Sequence, residues 1–179
     1  MSPPPGPASR PLRRLPAGLL ALLLLASCAG YHIGPIRPTY MKGIQTVAVP
    51  PFENETLVPR IEVLVASSII KAIQADGTYE VGTEGSADAT IQGSIKKIAR
   101  VPSRSLIGNV LVATEYTLVI TIEIEVIRRA DHSSLSKRDF NGQTSFFVGQ
   151  DVNQEERQAL PLAVEDAARS AVTALTEGW

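Results

Sequence analysis

The chain has 179 residues, of which 17 are Lys or Arg and 18 are Asp or Glu, so its net charge of −1 does not indicate a nucleic-acid partner. A single cysteine leaves no basis for a disulfide framework or a cysteine-based zinc site. The length is suited to one domain with a hydrophobic core once a leader has been removed.

The first 27 residues have the pattern of a secretory signal peptide. Arg10, Arg13 and Arg14 precede an apolar run from Leu15 to Ala26. This run is too short for a membrane-spanning helix, which needs roughly 20 apolar residues. A basic segment, an apolar segment and small residues before a cleavage site are typical of a signal peptide. Its removal leaves 14 basic and 18 acidic residues, a net charge of −4.

Residues 25–28, LASC, resemble the lipobox of bacterial lipoproteins. In those proteins the cysteine becomes the new N-terminus and carries covalent diacylglycerol and an N-acyl chain such as palmitate. Cys28 is therefore predicted to be a lipid anchor, with no other cofactor expected. The alternative is an unmodified cysteine behind an ordinary cleavage site. Ala29 stands where an aspartate would favour the inner membrane, so the outer membrane is favoured.

Residues 28–43 are rich in Gly and Pro and are predicted to form the lipidated N-terminus and a linker, followed by one domain over residues 44–179. The domain opens with a short strand, IQTVAVPPF, which ends at two prolines because proline cannot donate to a sheet. From Pro59 onward, apolar residues recur every three or four positions, which predicts a helix that Asp76-Gly77 closes.

Four strands are predicted next, in the segments TYEVG, DATIQGSIKKIARV, TEYTLVITIEIEVIRR and SKRDFNGQTSFFVG. The third has the clearest pattern, with apolar residues at even positions and mostly polar residues at odd positions. A long alternation with period two indicates a strand with one buried and one solvent-exposed face. Exposed faces are usual in antiparallel sheets, which places the helices on a single side.

A second helix is predicted near the C-terminus, with Asp151 and Asn153 as candidate N-caps and an alanine-rich stripe that allows close packing. Pro161 is expected to kink this helix or mark a restart. The element order is then β-α-β-β-β-β-α. It predicts an α+β two-layer domain with two helices packed on one face of a mainly antiparallel four- to five-stranded sheet.

Candidate catalytic residues are few. His32 and His132 lie on different predicted elements, and neither has a Glu or His at metal-ligand spacing. Glu123 and Glu125 share the solvent face of one predicted strand, which favours a solvated surface over an acid–base pair. A glycine-rich phosphate loop and a nucleophile elbow are both missing from the sequence. The protein is not expected to be an enzyme or to bind a metal.

Two groups of basic residues are candidates for binding an anion. The first, predicted near the end of one strand and in the loop after it, comprises Lys96, Lys97, Arg100 and Arg104. The second, which brackets the next hairpin turn, comprises Arg128, Arg129, Lys137 and Arg138. Successive hairpin turns alternate ends, so the two groups are expected at opposite ends of the sheet. Each group either keeps the surface soluble and the strand edges unpaired or recognises a phosphorylated lipid.

Several segments together resemble the LptE family of lipopolysaccharide-assembly lipoproteins. They are CAGYHI, VAVPPFENET before the first helix, ADATIQGSI, the long alternating strand and the terminal EGW, and they extend over essentially the whole mature chain. The resemblance implies a lipoprotein at the periplasmic face of the outer membrane that plugs an LptD β-barrel and assists its assembly. It also implies binding of lipopolysaccharide during transport to the cell surface.

The resemblance assigns few residues. Cys28 matches the lipidated cysteine of the family. The basic residues Lys96, Lys97, Arg100 and Arg104 are candidate lipopolysaccharide contacts, although no motif aligns them with the family. An alternative remains open, because other outer-membrane lipoproteins begin with similar VPPFEN-like strands and self-associate into secretion or fibre-assembly pores. Such a protein would form a ring, whereas a plug would bind one barrel.

Overall fold

The computed structural model describes residues 37–106 and 112–178. The predicted signal peptide, Cys28 and most of the predicted linker lie outside these residues. A short 3-10 helix, Thr39–Met41, precedes the main elements. These are β1 Thr46–Ala48, β2 Glu53–Asn54, α1 Ile61–Asp76, β3 Glu80–Val81, β4 Ala89–Leu106, β5 Val112–Arg128, β6 Ser134–Phe147 and α2 Val152–Glu177.

The strands form one mixed sheet in the order β3-β1-β4-β5-β6, and β2 also pairs with β4. The pairing of β4 with β5 and of β5 with β6 is antiparallel, as predicted for most of the sheet. By contrast, β1 runs parallel to β3 and β4, and β2 runs parallel to β4. The chain passes through α1 between β1 and β3, and a helical crossover returns it in the same direction, which gives parallel pairing. The α+β class and element order are confirmed, and two-residue β2 is an addition.

The two faces of the sheet differ as the alternation predicted. On β5, the buried side chains are Leu118, Ile120, Ile122, Ile124 and Val126. We call this side the helix face, because both helices pack against it. The opposite side, which carries the odd-numbered residues of β5 such as Thr117, Thr121 and Glu123, is called the open face. On β4 the pattern changes after Ile95, where an extra residue, Lys96, forms a β-bulge opposite β5.

Helix α1 presents one apolar stripe to the sheet. Ile61, Val65, Ile69 and Ile73 recur every four residues and are all nearly inaccessible. The helix begins at Ile61 and not at Pro59, because Arg60 adopts a left-handed conformation with φ of 64° at the N-cap. Gly77 ends the helix with φ of 76°, as the sequence predicted.

Helix α2 lies unusually close to β6. Its N-cap is Asp151, whose carboxylate accepts hydrogen bonds from the backbone N–H groups of Asn153 and Gln154. Pro161 lies inside a continuous helix, so the predicted restart does not occur. A Cβ atom at Gly142 of β6 would overlap with backbone atoms of Ala163 and Ala167. The small side chains therefore permit the close approach that the alanine-rich stripe indicated.

The elements define two ends of the domain. At the lower end β4 begins, β5 ends and both helices end, since Ala89 pairs with Arg128 and the Tyr79 hydroxyl donates to the carbonyl oxygen of Leu175 at 2.9 Å. At the upper end β4 runs to Leu106 and α2 begins at Val152. Within the described residues, neither helix has the length and hydropathy that a membrane span requires.

Candidate functional site

The basic residues singled out from the sequence lie inside a strand and not at its end. Strand β4 has 18 residues and continues to Leu106, so Lys96, Lys97 and Arg100 lie near its middle. The predicted strand was too short because Pro102 interrupts the pattern, yet Pro102 is accommodated opposite Tyr116, next to a register shift. The expected position at a strand end was wrong.

Lys96 lies on the open face in a chain of alternating charges. Its ammonium group is 2.7 Å from Glu55 and 3.6 Å from Glu123, and Glu123 is 3.2 Å from Lys137 of β6. The hydrogen bond between Lys96 and Glu55 lowers the pKa of Glu55 and raises the pKa of Lys96. Lys137 was expected at the opposite end of the sheet from Lys96. That expectation was wrong, because both lysines contact the same carboxylate.

Arg100 lies on the helix face instead. Its guanidinium group is 3.1 Å from Glu156 of α2 and 5.7 Å from the ring centroid of Tyr116. Lys97 is exposed, and it has no ion pair with the part of the chain that the structure describes. Arg104 is in register with Glu115, and its side chain lies outside the described part. The four candidates therefore do not form one basic patch, because the bulge at Lys96 turns Arg100 toward α2.

The open face forms a broad polar surface. Its side chains hydrogen-bond across the strands: Thr117 with Ser145 at 3.3 Å, and Thr121 with Asn141 at 2.7 Å. In the described part of the chain no helix packs on this face, and the odd-numbered side chains of β5 remain partly accessible. Such a face is free to contact a partner through hydrogen bonds.

Two apolar side chains lie at the upper end of the open face. Val101 is 49% exposed and Phe147 is 68% exposed. Their register partners on β5 are Thr117 and Glu115. Aromatic side chains with a large exposed area are frequent anchors at protein interfaces. The upper end of the open face thus combines polar residues with the exposed apolar side chains of Val101 and Phe147.

Strand β6 forms one edge of the sheet, and two features protect it from uncontrolled pairing. The carboxylate of Asp166 in α2 accepts a hydrogen bond from the backbone N–H of Gln143 at 3.0 Å, which caps one donor of this edge. Lys137, Arg138 and Asp139 place three successive charges in the strand. Charged and covered edges resist aggregation.

A groove on the lower half of the open face has a volume of about 390 Å³. Its charged lining comprises Glu53, Glu55, Lys96, Glu123, Glu125 and Lys137. The prediction that Glu123 and Glu125 share a solvent-facing surface agrees with this placement. Glu53 and Glu55 could not be recognised from the sequence, because the segment ENET has the composition of a turn. A two-residue strand such as β2 leaves no periodic signal.

The structure places His132 in the exposed turn between β5 and β6, with φ of 53°, and His32 lies outside the described residues. Among residues 37–106 and 112–178, no three His, Cys, Asp or Glu side chains come together as a metal site would require. The open face, on which no helix packs in the described residues, is the candidate binding surface.

Comparison with known proteins agrees with a lipoprotein fold. Residues 44–175 match the model of a family described as LptE, lipopolysaccharide-assembly. No curated protein sequence matches the chain. A PelC dodecamer structure from Paraburkholderia phytofirmans is 14% identical with a TM-score of 0.51, and the match covers 78% of this chain and 93% of that chain.

Two further solved structures share the fold. A minor lipoprotein from Acinetobacter baumannii is 12% identical with a TM-score of 0.51, and the match covers 75% of this chain and 92% of that chain. A protein from Xanthomonas campestris is 10% identical with a TM-score of 0.54, and the match covers 82% and 92% of the two chains. At these identities the similarity shows a common fold.

Proposed function

Because the chain belongs to the LptE family of lipopolysaccharide-assembly lipoproteins, we propose that it plugs an LptD-like outer-membrane β-barrel and assists the assembly of that barrel. In this proposal the protein is anchored through acylated Cys28 at the periplasmic face of the outer membrane. It supports transport of lipopolysaccharide to the cell surface as a binding partner, without an enzymatic activity or a cofactor of its own.

The open face of the sheet is the observation that carries this proposal. The interior of an outer-membrane barrel is polar, so a protein inside it needs a surface of hydrogen-bonding groups. The hydroxyl and amide groups of Thr117, Thr121, Asn141 and Ser145 provide such a surface. A helix packed on this face would remove these groups from contact, and in the described residues both helices pack on the other side.

The dimensions of the sheet also suit a barrel lumen. Strand β5 has 17 residues. At about 3.3 Å per residue, a strand of that length extends over roughly 55 Å, longer than the apolar band of an outer-membrane barrel, which is about 25 Å tall. The sheet is therefore long enough to contact the barrel wall through the full thickness of the membrane.

Replacement of Glu123 and Glu125 by leucine is expected to weaken the complex with the barrel while leaving secretion intact. Glu123 forms ion pairs with Lys96 and Lys137. The double replacement removes this carboxylate from the proposed contact surface and leaves the two lysines without it, which disturbs the charge complementarity with the partner. The measurement is the yield of barrel protein that co-purifies with the double variant in mild detergent, for which we expect a loss of about tenfold.

A matched control replaces Glu84 and Glu165 by leucine. Both residues are exposed, Glu84 in a turn and Glu165 on α2, and neither lies on the open face. This control removes the same charge and adds the same apolar area. Equal barrel yields from the two double variants and the wild type would show that the open face is not the contact surface.

Direct contact with lipopolysaccharide is proposed for the basic candidates on β4. In the described part of the chain the ammonium group of Lys97 has no ion pair, whereas Lys96 and Arg100 are already paired with carboxylates. Binding to purified lipopolysaccharide is measured for a Lys97→Gln variant and for a control, Lys71→Gln on α1. The comparison separates a local contact at Lys97 from a general effect of the lost charge. Equal binding by the two variants would exclude Lys97 as the contact.

Self-association into a ring is the second candidate function, since a PelC structure with this fold is a dodecamer. A plug requires a chain that binds one barrel and does not close into rings of its own. We therefore expect the unacylated mature chain to be monomeric in size-exclusion chromatography with light scattering. A large assembly whose mass does not change with concentration would favour the ring and contradict the plug.

A further inference from the structure

A cavity at the lower end of the domain collects basic side chains. It has a volume of about 460 Å³ and is lined by Lys42, Gly43, Ile44, Asp88, Arg128 and Arg129. Three separate segments form it: the chain before β1, the start of β4 and the end of β5. Within this lining three cationic groups face one carboxylate, which makes the cavity positively charged.

The carboxylate of Asp88 is held by the protein through one of its two oxygens. One of its oxygens accepts hydrogen bonds from the backbone N–H groups of Gln45 and Thr46, both at 2.9 Å, and from the Thr46 hydroxyl at 3.0 Å. The backbone N–H groups of Thr46 and Gln45 lower the pKa of Asp88. Asp88 thus fixes β1 to the start of β4. The nearby guanidinium group of Arg129 also lowers the pKa of Asp88, and this single carboxylate offsets only one of the three positive charges in the lining.

The three cations keep most of their hydrogen-bonding capacity. Lys42 is exposed, and its ammonium group has no ion pair or hydrogen bond with the described residues. Arg129 donates from Nη1 to the carbonyl oxygen of Gly85, and Arg128 is 3.6 Å from the exposed Asp131. A guanidinium group has five N–H donors, so each arginine retains donors for a phosphate group. Together, two guanidinium groups and one ammonium group favour binding of a phosphate diester.

The cavity lies next to Arg37, on the side of the domain from which the chain leads back to Cys28. Arg37 donates to the carbonyl oxygen of Ile44, a cavity residue, at 3.1 Å and to that of Thr78 at 3.0 Å. Eight residues lie between Cys28 and Arg37, and the nine residue-to-residue steps reach at most about 32 Å when fully extended. A chain anchored at Cys28 must therefore keep this end of the domain within one tether length of the lipid headgroups.

We propose that the lower end docks on anionic phospholipid headgroups of the leaflet that holds the anchor, through Lys42, Arg128 and Arg129. This inference rests on the lipid anchor in the proposed function. Docking holds the lower end of the sheet at the headgroup layer of that leaflet. The domain then presents the open face to a partner in a fixed orientation.

The experiment attaches the mature chain, residues 28–179, to vesicles through its single cysteine and a maleimide lipid. One set of vesicles contains phosphatidylcholine alone, and the other contains phosphatidylglycerol as well. An amine-acetylating reagent then modifies exposed lysines, and mass spectrometry measures the rate at each lysine. Lys97, which is exposed on β4 away from the cavity, is the internal reference. Because the attachment is chemical, the result does not depend on acylation in the cell.

We expect acetylation of Lys42 to be about fivefold slower on the anionic vesicles, since one basic residue near an anionic surface contributes about a fivefold factor to binding. The rate at Lys97 is expected to remain unchanged. An Arg128→Gln, Arg129→Gln variant should lose the protection of Lys42. An Arg157→Gln, Arg169→Gln control, which removes two exposed charges from α2, should retain it.

Three results would overturn the inference. The first is an equal ratio of the Lys42 and Lys97 rates on the two kinds of vesicle. The second is full protection of Lys42 in the Arg128→Gln, Arg129→Gln variant, which would exclude the cavity. The third is equal protection on neutral vesicles by inorganic phosphate at matched ionic strength, which would assign the cavity to a soluble phosphate. The acylation of Cys28 is tested separately, by measuring the mass of the N-terminal peptide of the native protein.

Discussion

The Gly142→Ala variant is expected to lose at least about 3 kcal/mol of folding free energy, because a single added methyl group has no space at this position. Its Cβ atom would overlap with backbone atoms of Ala163 and Ala167, and backbone atoms cannot rotate away as a side chain can. Helix α2 would have to separate from β6 along its central turns. Such a loss is a large part of the roughly 5–15 kcal/mol that stabilises a typical domain.

Urea denaturation of both proteins, followed by circular dichroism, measures this effect. Gly85→Ala is the matched control, since a Cβ atom at Gly85 meets no atom within 4 Å. We expect the control to remain within about 0.5 kcal/mol of the wild type. If Gly142→Ala unfolds at the same urea concentration as the control, α2 does not contact β6 as closely as described.

Replacement of Cys28 by alanine is expected to abolish membrane association of the mature protein. Acyl chains contribute about 0.8 kcal/mol per buried methylene group, and stable anchoring needs more than one membrane-binding element. The mature chain has a net charge of −4, so attraction to anionic lipid through the lower end is too weak to hold it without the acyl chains. The measurement is the distribution of protein between membrane and soluble periplasmic fractions.

Ser27→Ala is the control for this experiment, because it keeps a small residue at the predicted cleavage site and leaves the thiol in place. Intact-mass analysis should detect diacylglycerol and an N-acyl chain on the wild type and on this control. Wild-type protein with an unmodified N-terminus in the soluble periplasmic fraction would contradict the lipid anchor and the outer-membrane location together.

Periodic elements of the fold could be predicted from the sequence. Residues 116–126 alternate over a full strand, and Ile61, Val65, Ile69 and Ile73 repeat at the spacing of a helix; both patterns record which side chains are buried. Strand β1 pairs in parallel with β3 and β4, and β2 pairs in parallel with β4. These pairings left no such pattern, because strands of three and two residues are too short for an alternation. Their direction depends on contacts between residues that are distant in the chain.

The candidate site was predicted only in part. The shared solvent face of Glu123 and Glu125 follows from their spacing on one strand. The connection of Glu123 to Lys96 and Lys137 does not, because it depends on the register of three strands. Arg128 and Arg129 were predicted as candidate anion-binding residues, but the cavity that they form with Lys42 was not, since Lys42 comes from the segment expected to be a linker and meets them only after folding.

The β-bulge at Lys96 lets β4 turn odd-numbered residues toward the helices before the bulge and even-numbered residues after it. Up to Ile95 the odd-numbered residues face the helices, and from Ile98 to Pro102 the even-numbered residues do so. Deletion of Lys96 would remove this bulge without inverting the side chains on either side of it. Most single-residue deletions in a strand instead invert every side chain that follows. Position 96 is therefore a place where this sheet can change its length by one residue and keep its core.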